Sequence, residues 1–140
     1  MKVSLLTGGK DKPYVLGLLS GLIPNGITVD FIGNDEMQKA SVMRNDNVNY
    51  YNLRGDQNEH APMKEKIVRV LKYYFKLIKY AAFTDSKLFH IIWLNKFINF
   101  DRTFLNIYYK ILDKKLVFTA HNVNAGERDR NDTYINRITL

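Results

Sequence analysis

Cysteine is absent from this chain of 140 residues. That excludes a disulfide scaffold, a cysteine-ligated zinc or iron–sulfur centre, and a thiol nucleophile. It also suits a reducing compartment. The histidines are His60, His90 and His121, and their spacing suits no metal triad, so no metal site is expected. No Gly-x-Ser-x-Gly elbow occurs, which argues against a serine hydrolase. Neither GxGxxG nor GxxxxGK[ST] is present, so the two best-known phosphate fingerprints are missing. No helix-turn-helix, zinc-finger or RNP signature points to nucleic acid. No window reaches the roughly 18 uninterrupted apolar residues of a membrane span. The opening MKVSLLTGG is too short an apolar run for a signal peptide and lacks a small-residue cleavage site.

What is present is a chain with 46% hydrophobic and 25% charged residues, enough for one folded domain over residues 1–140 with a real core. The net charge is +7, and residues 61–80 alone carry +5 of it. The remaining segments are close to neutral, so one element concentrates the basic character.

Short apolar runs alternate with helical patterns along the chain. Strands are expected at Val3–Thr7, Ile27–Ile32, Val48–Leu53, Lys87–Trp93 and Leu116–Ala120. Pro13 suits an early helical position, and Pro24-Asn25-Gly26 stops the helix that follows it. A short helix is expected within Asn34–Met43, capped by Asn34 or Asp35. The clearest helix runs from Pro62 to about Ala82, with Ile67, Val70, Leu71, Tyr74, Leu77, Ile78 and Ala81 as its apolar face. Asp101 is expected to cap a helix over Arg102–Leu112, with Phe104, Leu105, Tyr108 and Ile111 on one side. A last helix would begin after Asp132. Apolar strands alternating with helices predict an α/β fold, a Rossmann-like three-layer sandwich around a parallel sheet of order 3-2-1-4-5. Right-handed crossovers put every strand C-terminus on one edge, where such folds bind ligands.

The loops at that edge supply the candidate site. Gly8, Gly9 and Lys10 follow the first strand and precede a helix, an arrangement that suits either a plain glycine turn or a phosphate contact. Trp93, Asn95 and Lys96 follow the fourth strand, with Phe97 and Phe100 beside them. They read as core or as part of an acceptor pocket. His121 follows the fifth strand and reads as a base, a phosphate contact or a loop anchor. Asn122, Asn124, Glu127, Arg128 and Asp129 make the loop after it densely polar. His90, inside the fourth strand, reads as a packed or hydrogen-bonded core histidine. On the long helix, Arg69, Lys72, Lys76 and Lys79 recur at helical spacing. They form either an ordinary solvated face or a surface drawn to anionic lipid. In the second case the apolar face would pack on the sheet and attraction would be mainly electrostatic.

The stretch FHIIWLNKFINFDRTFLNIYYKILDKKLVFTAHNVNAGERDRNDTYINRITL resembles the N-terminal half of retaining glycosyltransferases of the two-Rossmann-domain (GT-B) type, the bacterial group 1 enzymes of capsule, O-antigen and exopolysaccharide assembly. The opening VSLLTGG, followed by a helix, fits the same family. The resemblance implies an acceptor-binding domain whose partner, a C-terminal donor-binding domain with a pair of glutamates, lies outside this chain. It could be a missing domain or a separate subunit. The resemblance implies transfer of a sugar from a nucleotide-sugar donor to a lipid-linked or saccharide acceptor, with retention of configuration and no cofactor beyond the donor itself. It places Gly8 and Gly9 near the donor diphosphate and gives His121 the part of the cleft histidine. Asn122 and the loop to Arg130, with Asn124 and Arg128 in it, would shape the acceptor site, and helix 62–82 would be the membrane-facing element. The chain alone would be inactive, cytoplasmic and peripheral on the inner face of the cell membrane. The alternative is a standalone binding or accessory subunit without activity of its own.

Overall fold

The computed structural model describes residues 1–8, 12–93 and 97–119. The elements are β1 (Lys2–Leu6), α1 (Lys12–Leu22), β2 (Thr28–Gly33), α2 (Asp35–Gln38), β3 (Val48–Asn52), α3 (Met63–Phe83), β4 (Leu88–Ile91), α4 (Ile98–Phe100), α5 (Asn106–Ile111) and β5 (Lys115–Phe118). Every strand pairing is parallel, and the sheet order is β3-β2-β1-β4-β5, as the sequence leads one to expect. The fold is a Rossmann-like parallel sheet flanked by helices, consistent with a GT-B-type domain.

Alternation along the strands divides the core in two. Val3 and Leu5 of β1 point to one face, where they join Val15 and Leu19 of α1, Val29, Phe31 and Met37. Leu6 points to the other face and meets Tyr73, Tyr74, Leu77, Tyr80, Ala81, Phe89, Leu105 and Tyr109. The α3 and α5 layer is therefore built largely on tyrosine. Burying such rings satisfies the hydrophobic drive, but each hydroxyl then needs a partner or remains a cost.

Three expectations need correction. The helix expected within Asn34–Met43 is split. Asn34 caps a single turn, α2, by accepting from the Met37 amide at 2.9 Å, and a separate 3-10 turn follows at Ser41–Arg44. The apolar face of α3 is rotated from the one its strongest apolar residues suggest. Of the expected face Tyr74, Leu77 and Ala81 are buried and Val70 packs beside them, but Tyr73 and Tyr80 are buried as well, whereas Ile67, Leu71 and Ile78 are exposed. The reason is the length of tyrosine, which spans the gap between helix and sheet and carries its hydroxyl to a buried polar partner. Finally, Asp101 is not a helix cap. The helix starts earlier, at α4, and passes through a π-helical segment, Asp101–Leu105, into α5. Asp101 is buried inside it, while Phe104 and Ile111 face solvent.

Candidate functional site at the sheet switch point

From β1 the chain works outward to β2 and β3 across one face. It then crosses back to β4 and β5 across the other. The loops leaving β1 and β4 therefore part at the centre of the sheet, the crevice where parallel α/β sheets take their ligands. Gly8 and Trp93 stand on either side of this point. A methyl group on Gly8 would lie 2.6 Å from the Trp93 Cβ, closer than any side chain tolerates. Glycine is required here by close approach, which leaves the backbone just past β1 bare beside the indole. Thr7 fixes the same turn, its hydroxyl donating to the Ile32 carbonyl at 3.0 Å.

Beneath Trp93 a small cavity is lined by Leu6, Ile91, Trp93, Asp101, Leu105, Asn106 and Tyr109. Its walls are mostly apolar, and its polar atoms are few and specific. The Tyr74 hydroxyl donates to Asp101 Oδ1 at 2.8 Å. The Tyr74 ring is held in turn by Phe97 and Phe100, at centroid separations of 6.0 and 5.2 Å. Tyr109 Oη and Asn106 Oδ1 are buried without a hydrogen-bond partner. Burial, reinforced by the Asp101 carboxylate, raises the Tyr74 pKa. Burial likewise raises that of Tyr109, so both stay protonated. An unpartnered buried hydroxyl and an unpartnered buried amide oxygen each suit a bound water.

The opposite side of the same edge is a closed polar lattice. The Tyr50 hydroxyl donates to the Asn34 carbonyl, and the Asn52 amide donates to Asp35. Burial, then the Asp35 charge, pushes the Tyr50 pKa up to about 12. Arg54 lies 4.3 Å from the centre of the Tyr73 ring and donates to its hydroxyl at 3.2 Å. These bonds hold the loop after β3 rather than opening a site.

The sequence-based candidates fall into three groups. Gly8 and Trp93 are brought together at the switch point. Gly9, Lys10, Asn95, Lys96, His121, Asn122, Asn124 and Arg128 lie outside the described residues. Lys72, Lys76 and Lys79 are exposed on α3, but Arg69 is engaged elsewhere. Its guanidinium donates to the carbonyls of Asp56 and Asn58 at 2.8 and 3.0 Å, which ties down the loop before α3. The residues that sequence reasoning missed are Tyr74, Asp101, Asn106 and Tyr109. The available signal was a carboxylate flanked by aromatics, Phe100 and Phe104, which is poor company for a solvated cap. His90 is half-buried, and its Nε2 lies 2.8 Å from the Thr119 hydroxyl, in line with the hydrogen-bonded reading. Burial lowers its pKa. Thr119 thereby fixes the end of β5 against β4.

Among the described residues no group of three histidine, aspartate or glutamate side chains is placed to hold a metal, and no helix is long and apolar enough to cross a membrane. Comparison with protein-family models and with curated proteins finds no match for the chain.

Proposed function

We propose that this chain is the acceptor-binding half of a retaining glycosyltransferase, which works with a donor-binding domain or subunit to move a sugar from a nucleotide sugar to a lipid-linked or saccharide acceptor. The observation that carries the reading is the close approach of Gly8, just past the end of β1, to Trp93 at the switch point of the sheet. A partly exposed indole beside a bare glycine, at the crevice where parallel sheets take ligands, suits the apolar face of a saccharide. The order of motifs from Phe89 to Leu140 supports the same class. In this reading Gly8, Gly9 and Lys10 approach the donor diphosphate across the cleft. Backbone amides there would stabilise the charge that develops as the diphosphate leaves. His121 would sit beside the transferred sugar, and Trp93, Asn95, Lys96, Asn122, Asn124 and Arg128 would receive the acceptor.

The test uses the lone tryptophan. Titration with soluble saccharide acceptors and short-chain lipid-linked analogues should change Trp93 emission saturably, while the chain alone transfers no sugar from any nucleotide sugar. Sugar transfer by the isolated chain, or indifference of Trp93 to every acceptor, would refute the reading. Once the donor-binding partner is supplied, His121→Ala should suppress transfer without unfolding the domain.

A further inference from the structure

Parallel strands covered on both faces are built from apolar side chains. In β4 Phe89 and Ile91 obey this rule and are buried, and His90 between them does not. It is half-buried, and burial lowers its pKa, so the ring is uncharged at neutral pH. A polar ring in this place costs stability unless it is hydrogen-bonded, and an aliphatic side chain would need no such bond. A local rule broken in this way marks a residue held for what its bond does.

The bond goes to Thr119. His90 Nε2 lies 2.8 Å from the Thr119 Oγ1. The Thr119 amide donates to the Ile91 carbonyl at 3.0 Å, one residue past the last paired position of β5. The Tyr14 hydroxyl, in the first turn of α1, lies 3.4 Å from the same Oγ1. A threonine hydroxyl can give one hydrogen bond and accept others, so it serves both neighbours at once. One oxygen therefore gathers β4, the end of β5 and the helix that follows the loop leaving β1. This meeting point is on the α1 face, where His90 stands level with Leu5. The cavity beneath Trp93 belongs to the other face, with Leu6 and Ile91. In the sequence, His121 comes two residues after Thr119, and Gly9 and Lys10 come just before α1.

We propose that Thr119, clamped by His90, is the positioning residue of His121: the clamp fixes the direction in which the chain leaves β5, and with it where His121 stands relative to the loop of Gly8, Gly9 and Lys10. The hydroxyl is the working part of Thr119, since both side-chain contacts run through it. Neither His90 nor Thr119 takes part in the chemistry. The part given to His121 in sugar transfer rests on the transferase reading, but its dependence on Thr119 does not.

The experiment is NMR of the imidazole resonances in the full chain, with His60, His90 and His121 assigned by single replacements. His60, exposed in the loop before α3, is the internal reference. His90→Leu should shift the His121 resonances, although the two residues are 31 apart in the chain, and leave His60 in place. The same change made on top of Thr119→Val should shift them no further, because the route through the hydroxyl is already cut. On top of Thr119→Ser, which keeps the hydroxyl, the shift should return. Thermal unfolding of each variant checks the fold. Should His90→Leu not fold, Thr119→Val and Thr119→Ser carry the test: the first should move both His90 and His121, and the second should restore both. The proposal is overturned if His121 ignores His90→Leu and Thr119→Val, or if His90→Leu moves it equally with and without the hydroxyl. A chain whose Trp93 ignores every acceptor, but whose His121 answers to His90 through Thr119, would lose the transferase reading and keep this one.

Discussion

The Tyr80 hydroxyl on α3 donates to the Asp30 carboxylate on β2 at 2.8 Å, and Ser4 Oγ of β1 lies 2.6 Å from the same tyrosine oxygen. Asp30 is fully buried, and a carboxylate in that position is tolerable only when its lone pairs are filled. Asn49, Thr84 and Lys2 fill the others, at 2.8, 3.0 and 3.2 Å. For Lys2, burial acts to lower the pKa, but the hydrogen bonds and charges of Asp85 and Asp30 outweigh it and the net shift is upward. Burial drives the Tyr80 pKa far above its ordinary value, so the hydroxyl remains a donor. This cluster sets the height and rotation of α3 over the sheet.

Tyr80→Phe keeps the ring and removes the donor, leaving both Asp30 and Ser4 short of one partner. The expected loss is about 1–3 kcal/mol of unfolding free energy, read from the urea midpoint. A variant as stable as wild type would show that water or a rearranged Thr84 replaces the hydroxyl.

The rotation of α3 is tested by two leucines. Leu77 is 0% exposed and Leu71 is 60% exposed. Leu77→Ala should cost about 2–5 kcal/mol, whereas Leu71→Ala should stay within about 0.5 kcal/mol of wild type. Equal losses in denaturant melts would restore the apolar face read from periodicity.

Gly8→Ala forces the new methyl against Trp93. Overpacking of this kind costs about 1–3 kcal/mol. Because Trp93 is the only tryptophan, its emission maximum should shift in the same variant. An unaltered spectrum together with unaltered stability would mean that the two loops stand further apart.

His90 makes stability depend on pH. Burial lowers its folded pKa below the unfolded value of 6.5, so the unfolded chain binds the proton more readily. Its contribution is whole above 6.5 and is lost as pH falls from there through the folded pKa. His90→Gln should therefore lose less stability than wild type between neutral pH and mildly acidic pH in urea titrations. Parallel pH profiles for the two proteins would contradict this.

The sheet was legible because its strands are short apolar runs bounded by glycine, proline and asparagine, and parallel topology then left few arrangements. The orientation of α3 was not legible. Ile67, Leu71 and Ile78 dominate a count of apolar character, while Tyr73 and Tyr80 read as half polar. Their burial depends on Arg54, Asp30 and Ser4, which lie far away in the chain. Asp101 was misread for the same reason. An aspartate before an amphipathic run fits a cap by every local rule, and its partner, Tyr74, is 27 residues away. At the site, Gly8 and Trp93 were found from their places after β1 and β4, but the cavity polar groups belong to helix interiors, where no motif announces them.

The π-helical segment Asp101–Leu105 makes spacing itself a heritable property of this region. A π turn is an α-helix that has accommodated one extra residue. Loss of a single codon there would restore a regular helix and swing everything on one side of it by about 100° relative to the other. Asp101 could then face Tyr74, or Phe104 and Ile111 could face outward, but not both. Side chains can change at the exposed positions of this stretch, such as Phe104, at little cost to the helix path, whereas its length cannot.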